Sequence, residues 1–76
     1  MKELVEFIAK NLVDNPEEIS VVDTTDEEGV TVYEVSCNPD EKGKLIGKSG
    51  RTAKAIRTLV RACSARHGKR ATVEIV

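Results

Sequence analysis

Seventy-six residues, 39% of them hydrophobic and 33% charged, make one small globular domain over residues 1–76 and leave no room for a second. Phe7 and Tyr33 are the only aromatics besides an absent Trp, which counts against nucleic-acid binders that stack bases on aromatic platforms. No apolar run approaches the roughly 18–20 residues of a membrane span and no signal peptide opens the chain, so it reads as soluble and cytoplasmic despite a net charge of only −1.

From Lys2 to Val13 the apolar residues Leu4, Val5, Ile8, Leu12 and Val13 recur at i, i+4 and i+8, one face of a helix. Asp14-Asn15-Pro16 stops it, because the residue before proline is pushed out of the helical region. Ile19–Thr25 is rich in β-branched residues and predicts a strand. Asp26-Glu27-Glu28-Gly29 is a polar turn of hairpin length. The strand Val30–Cys37 follows, with Thr31, Tyr33, Val35 and Cys37 on one face and Val30, Val32, Glu34 and Ser36 on the other.

Asn38-Pro39-Asp40-Glu41 starts a helix: Asn at the cap, Pro at the first position, Glu three after the cap. Gly47 limits that helix to about two turns. A longer helix runs from about Arg51 to His67, with Gly68 as a left-handed cap. Its residues Ile56, Leu59, Val60 and Cys63 are expected to face the core, and Lys54, Arg57 and Arg61 the opposite side. Ala71–Val76 alternates and closes as a strand. The order α-β-β-α-α-β gives an α+β fold, a three-stranded sheet packed against three helices.

Charge is segregated along this order. Residues 1–41 carry Lys2 and Lys10 against twelve acidic residues, a net of −10. Residues 42–76 carry ten basic residues against Glu74 alone, a net of +9. The two sum to −1, so the mild overall charge hides a strongly basic second half able to hold phosphates. The alternative is that the halves pair across the fold and cancel.

The basic half contains Gly47-Lys48-Ser49-Gly50 between two helices. Glycines there allow a sharp turn and a close approach of a sugar-phosphate chain. The N-terminus of the next helix aims N–H groups at the same place, Lys48 adds a charge and Ser49 a hydroxyl. Arg51 in the first turn opposes the helix dipole at roughly a few tenths of a kcal/mol, which argues for a role other than stability. The competing readings are a plain helix-to-helix turn for the glycines and a solvated outer face for Arg57 and Arg61.

A nucleotide-binding P-loop does not fit. Its GxxxxGK[ST] spacing would need glycine at position 42, which is Lys42, and the loop follows a helix rather than a strand. Cys37 and Cys63 form no CxxC pair and His67 is the lone histidine, so no zinc ligand set emerges and both cysteines read as core. His67 sits at a helix C-terminus, where a cation-capable residue is favourable anyway. No catalytic constellation and no cofactor site is expected.

Leu45-Ile46-Gly47-Lys48-Ser49-Gly50, with Ile56 six residues on, resembles the (I/V)IGxxGxxxxxI signature of KH domains, and the element order is that of the type II KH fold. The stretches Pro16-Glu17-Glu18, Asn38-Pro39-Asp40, Gly43 to Thr58 and Gly68-Lys69-Arg70 resemble the small stand-alone bacterial KH proteins of the KhpA type over nearly the whole chain. Leu45 departs conservatively from the Ile or Val of the signature.

The resemblance implies single-stranded RNA binding, with Gly47 to Gly50 clamping the backbone of about four nucleotides. Leu45 and Ile46 would floor an apolar groove for bases, unless one of them is wholly core. Lys44, Arg51 and Lys54 would meet phosphates or base edges, with Arg57 on the same basic side. It further implies an RNA chaperone or post-transcriptional regulator, a homodimer, and a larger KH-containing partner linked to cell elongation and division. The alternative is a dimerising protein-interaction adaptor of that partner, with little RNA binding of its own.

Overall fold

A computed structural model describes residues 1–76. Helix α1 spans Lys2–Leu12, followed by a 3₁₀ turn at Pro16–Glu18. Strands β1 (Ser20–Thr25) and β2 (Val30–Ser36) come next. A 3₁₀ turn, Pro39–Glu41, leads into α2 (Lys42–Ile46). A third such turn, Lys48–Gly50, leads into α3 (Arg51–Arg66), and β3 (Arg70–Ile75) ends the fold. The expected order α-β-β-α-α-β holds, with boundaries within a residue or two except that Pro39–Glu41 is a 3₁₀ turn and α2 begins only at Lys42.

The sheet order is β1-β2-β3, with β1 antiparallel and β3 parallel to the central β2. The β1–β2 hairpin closes on Asp26, whose carboxylate accepts from the Glu28 and Val30 N–H groups, with Gly29 at φ 83°. The parallel β2–β3 pair needs a long crossover, which α2, the glycine loop and α3 supply.

All three helices cover one sheet face. Val21, Tyr33, Val35, Ala71 and Val73 alternate onto that face and meet Val5 and Ala9 of α1, Val13 just after it, Leu45 of α2, and Ile56 and Val60 of α3. In α1 the buried residues are therefore Val5 and Ala9, continued by Val13 just past its end, while Leu12 lies at the surface. In α3 it is Ala53–Ile56–Val60–Ser64. That row corrects one expectation: Leu59 is 45% exposed, because the buried face is centred on Val60 and Leu59 falls some 100° away. Cys37 packs at the margin of the core, Cys63 is only half-buried, and both are free thiols.

Two terminations follow the chemistry of the sequence. Asn38 caps its turn by accepting from the Asp40 N–H at 2.9 Å. At the end of α3, Lys69 N–H donates to the Ser64 carbonyl and Gly68 N–H to the Ala65 carbonyl, a Schellman arrangement with Gly68 at φ 70°.

Glu41 is the departure. Instead of reaching back to Asn38 as a capping-box glutamate would, its carboxylate is 5% exposed and turned toward the end of α1. It accepts from the Asp14 N–H at 2.8 Å and from the Asn15 N–H and side-chain amide, both at 3.2 Å. Proline 16 breaks α1 and leaves those donors free, and Glu41 satisfies them across 27 positions of sequence.

Candidate nucleic-acid interface

Three of the four residues of the glycine loop hold backbone conformations that side chains rarely adopt. Gly47 has φ 76° and ψ 172°, Ser49 φ 58° and ψ 26°, and Gly50 φ 74° and ψ 12°. The Gly47 N–H closes α2 on the Gly43 carbonyl at 2.8 Å, and the Gly50 N–H bonds the Gly47 carbonyl at 3.1 Å. A Cβ at Gly47 would stand 2.6 Å from Thr52 Cβ and 2.8 Å from its nitrogen, so Thr52 fills the inside of the turn. Thr52 is the residue that sequence reasoning missed here; its only signal is its place five residues after the first glycine.

The loop's outside is open. Lys48 and Ser49 are exposed, and neither side chain makes a hydrogen bond or ion pair within the protein. Arg51 and Lys54 are exposed on the first turn and a half of α3 beside them. The two apolar residues before the loop divide cleanly: Leu45 is 1% exposed and belongs to the core, whereas Ile46 is 36% exposed at the loop's foot. Of the two, only Ile46 is accessible from outside.

Two of the expected contact residues are already engaged. The Lys44 ammonium pairs with the Asp14 carboxylate and lies 3.9 Å from Glu41, and the Asp14 hydrogen bond holds its pKa above the usual lysine value. Arg57 is half-buried rather than on an outer face: its Nε donates to the Val73 carbonyl at 3.0 Å, tying α3 to β3. Turning α3 at about 100° per residue explains this, since Arg57 falls beside Ala53 and Val60 and not opposite them.

Lys44 is also the single exception to a general rule. The other nine lysines and arginines of residues 42–76 pair with no carboxylate. The acidic and basic halves therefore do not cancel by contact, and the basic half keeps its field for a polyanion.

Residues 2–75 match the model of the KhpA/KhpB KH domain. The chain belongs to the KhpA/KhpB KH-domain family. It is 50% identical over all 76 residues to the RNA-binding protein KhpA of Clostridium perfringens, covering each chain fully. The same identity and coverage relate it to the RNA-binding protein KhpA of Oceanobacillus iheyensis. The Aquifex aeolicus RNA-binding protein KhpA is 43% identical over 76 residues, which span this chain fully and 95% of that one. The match runs from α1 to β3 and so includes the loop Gly47–Gly50.

Proposed function

We propose that this chain is a single-stranded RNA-binding protein, one KH domain over residues 1–76, that grips the sugar-phosphate backbone with Gly47-Lys48-Ser49-Gly50. The observation that carries this reading is the loop itself: left-handed backbone at three of its four residues, and Lys48 and Ser49 without partners. Lys48, Arg51 and Lys54 meet phosphates, and Ile46 floors the apolar side of the groove on which bases lie. Lys44 meets RNA by exchanging or sharing Asp14, and Arg57 braces the groove from β3. The names of the relatives, RNA-binding proteins in each case, support the same class.

Chemistry is not part of this reading: the protein acts by binding, as an RNA chaperone or post-transcriptional regulator in the cytoplasm. No helix is long and apolar enough to cross a membrane. Homodimerisation fits the same picture, since a short site gains avidity from a second copy. The outer face of α3, where Leu59 stands exposed between Ala55 and Ala62, supports it. A larger KH-containing partner, and with it a role in cell elongation and division, is the corresponding cellular setting.

The test is anisotropy of a labelled mixed-sequence single-stranded RNA across a salt series. Three or four phosphate contacts give a slope of log K against log salt near −2.5, or about thirtyfold weaker binding for a fourfold rise in salt. Absence of RNA binding at low salt, with the folded protein eluting at the mass of a dimer, would instead favour the adaptor reading.

A further inference from the structure

The basic side of α3 does not end with the glycine loop. From Lys54 on the outer face, basic residues continue at three- and four-residue spacing to Arg57 and Arg61, which lie on the flank beside β3. Arg57 touches β3 at the Val73 carbonyl. Arg61 lies one turn further on, roughly 16 Å along the helix from Gly50. There the trough between α3 and the start of β3 opens into a cavity of about 400 Å³.

This cavity has a composition suited to one nucleotide. Arg61, Lys69 and Arg70 stand on its rim, Ala65 and Ala71 supply apolar walls, and no carboxylate lines it. Arg61 and Lys69 have no ion-pair partner. Arg70 is oriented by donating to the Glu28 main-chain carbonyl, which leaves its charge uncompensated. Stability does not explain three unpaired cations around one cavity, since bringing like charges together is unfavourable. Beyond Arg70 lies the acidic hairpin turn Asp26–Gly29, whose charge would repel a phosphate chain and so bounds the trough.

We propose that single-stranded RNA gripped at Gly47–Gly50 continues along α3 into this cavity, where Arg61, Lys69 and Arg70 hold a phosphate outside the clamp and Ala65 and Ala71 receive its base. The inference rests on the RNA-binding reading of the glycine loop and extends it. The clamp accounts for about four nucleotides, so the extension is visible only with longer RNA.

The experiment measures binding of a four-nucleotide and a roughly ten-nucleotide single-stranded RNA at two salt concentrations. The proteins are wild type, Arg61→Ala/Lys69→Ala and Lys48→Asp/Ser49→Asp, each checked for fold by circular dichroism. Arg61 and Lys69 make no side-chain hydrogen bond, so their removal leaves the fold intact. The expected result is that Arg61→Ala/Lys69→Ala binds the short RNA like wild type. On the long RNA it loses on the order of tenfold, and its salt slope falls by about 0.7 for the one lost phosphate contact. Unchanged binding of the long RNA, or equal weakening on both lengths, overturns the extension while the loop reading stands. Undiminished binding by the folded Lys48→Asp/Ser49→Asp protein overturns the loop reading and the extension with it.

Discussion

Thr52 occupies the space that a side chain on Gly47 would need. Its Cβ stands 2.6 Å from the position of a Gly47 Cβ, and Gly47 itself has φ 76° and ψ 172°. Gly50 has φ 74° but open space around it. The two glycines of one motif are thus required for different reasons. Gly47→Ala meets both a clash and a forbidden backbone, and is expected to cost about 1–3 kcal/mol and to distort the loop enough to abolish RNA binding. Gly50→Ala meets only the left-handed penalty of roughly 1–2 kcal/mol, and Gly50→Asn less. Thermal melts and RNA titrations of the three variants check the ranking; equal effects at both glycines would contradict it.

Leu45 and Ile46 are neighbours with opposite duties. Leu45→Ala empties a fully buried position in the core and is expected to destabilise by about 2–5 kcal/mol, a large share of a small domain's stability. Ile46→Ala removes an exposed side chain and should change stability by less than about 1 kcal/mol while weakening RNA binding severalfold. Urea unfolding with parallel RNA titration separates the two. Loss of stability without loss of affinity at Ile46 would remove it from the groove.

Glu41 holds two elements together from a buried position. Glu41→Ala leaves the Asp14 and Asn15 N–H groups without an acceptor, at a cost of about 1–3 kcal/mol. For a domain of this size that is a fall on the order of 10 °C in Tm. Glu41→Gln keeps one acceptor oxygen and should recover part of the loss. A Tm for Glu41→Ala within about 2 °C of wild type would show the turn to be held by other means.

Stability is expected to decline on the alkaline side. Burial raises the Cys37 thiol above its ordinary value of 9.0, with the Glu41 charge adding to it. Burial likewise raises Tyr33, aided by Asp23, and the Asp14 hydrogen bond raises Lys44. In each case the folded state holds its proton more tightly than the unfolded chain. The contribution is therefore complete below the unfolded pKa and is lost as pH climbs through the folded one. Tm should be level near neutrality and fall from about pH 9 upward, the first part of the fall disappearing in Cys37→Ala. A Tm unchanged to about pH 11 would contradict the burial of Cys37 and Tyr33.

The fold was legible because local signals agreed with one another. Pro16, the Asp26–Gly29 turn, the Asn38-Pro39 cap and Gly68 each ended or began an element where the pattern of apolar residues changed. The loop was legible for the same reason, since two glycines around Lys48-Ser49 stand out between helices. What stayed hidden depended on contacts across the chain. Glu41 looked like a local cap and serves a turn 26 residues away; Arg57 looked like surface and reaches β3. The exposure of Leu59 is hidden from the apolar pattern because the small residues Ala53 and Ser64 complete the buried row of α3. Thr52 carries no pattern at all, only a fit beneath Gly47.

The most direct measurement compares wild type with Lys48→Asp/Ser49→Asp in single-stranded RNA binding at low and moderate salt. Aspartate tolerates the left-handed conformation that Ser49 adopts, so the variant keeps its fold while placing two negative charges where phosphate would lie. The account predicts salt-sensitive binding by wild type and its loss by at least about a hundredfold in the variant. A folded variant that binds RNA as tightly as wild type would contradict the assignment of Gly47–Gly50 as the clamp.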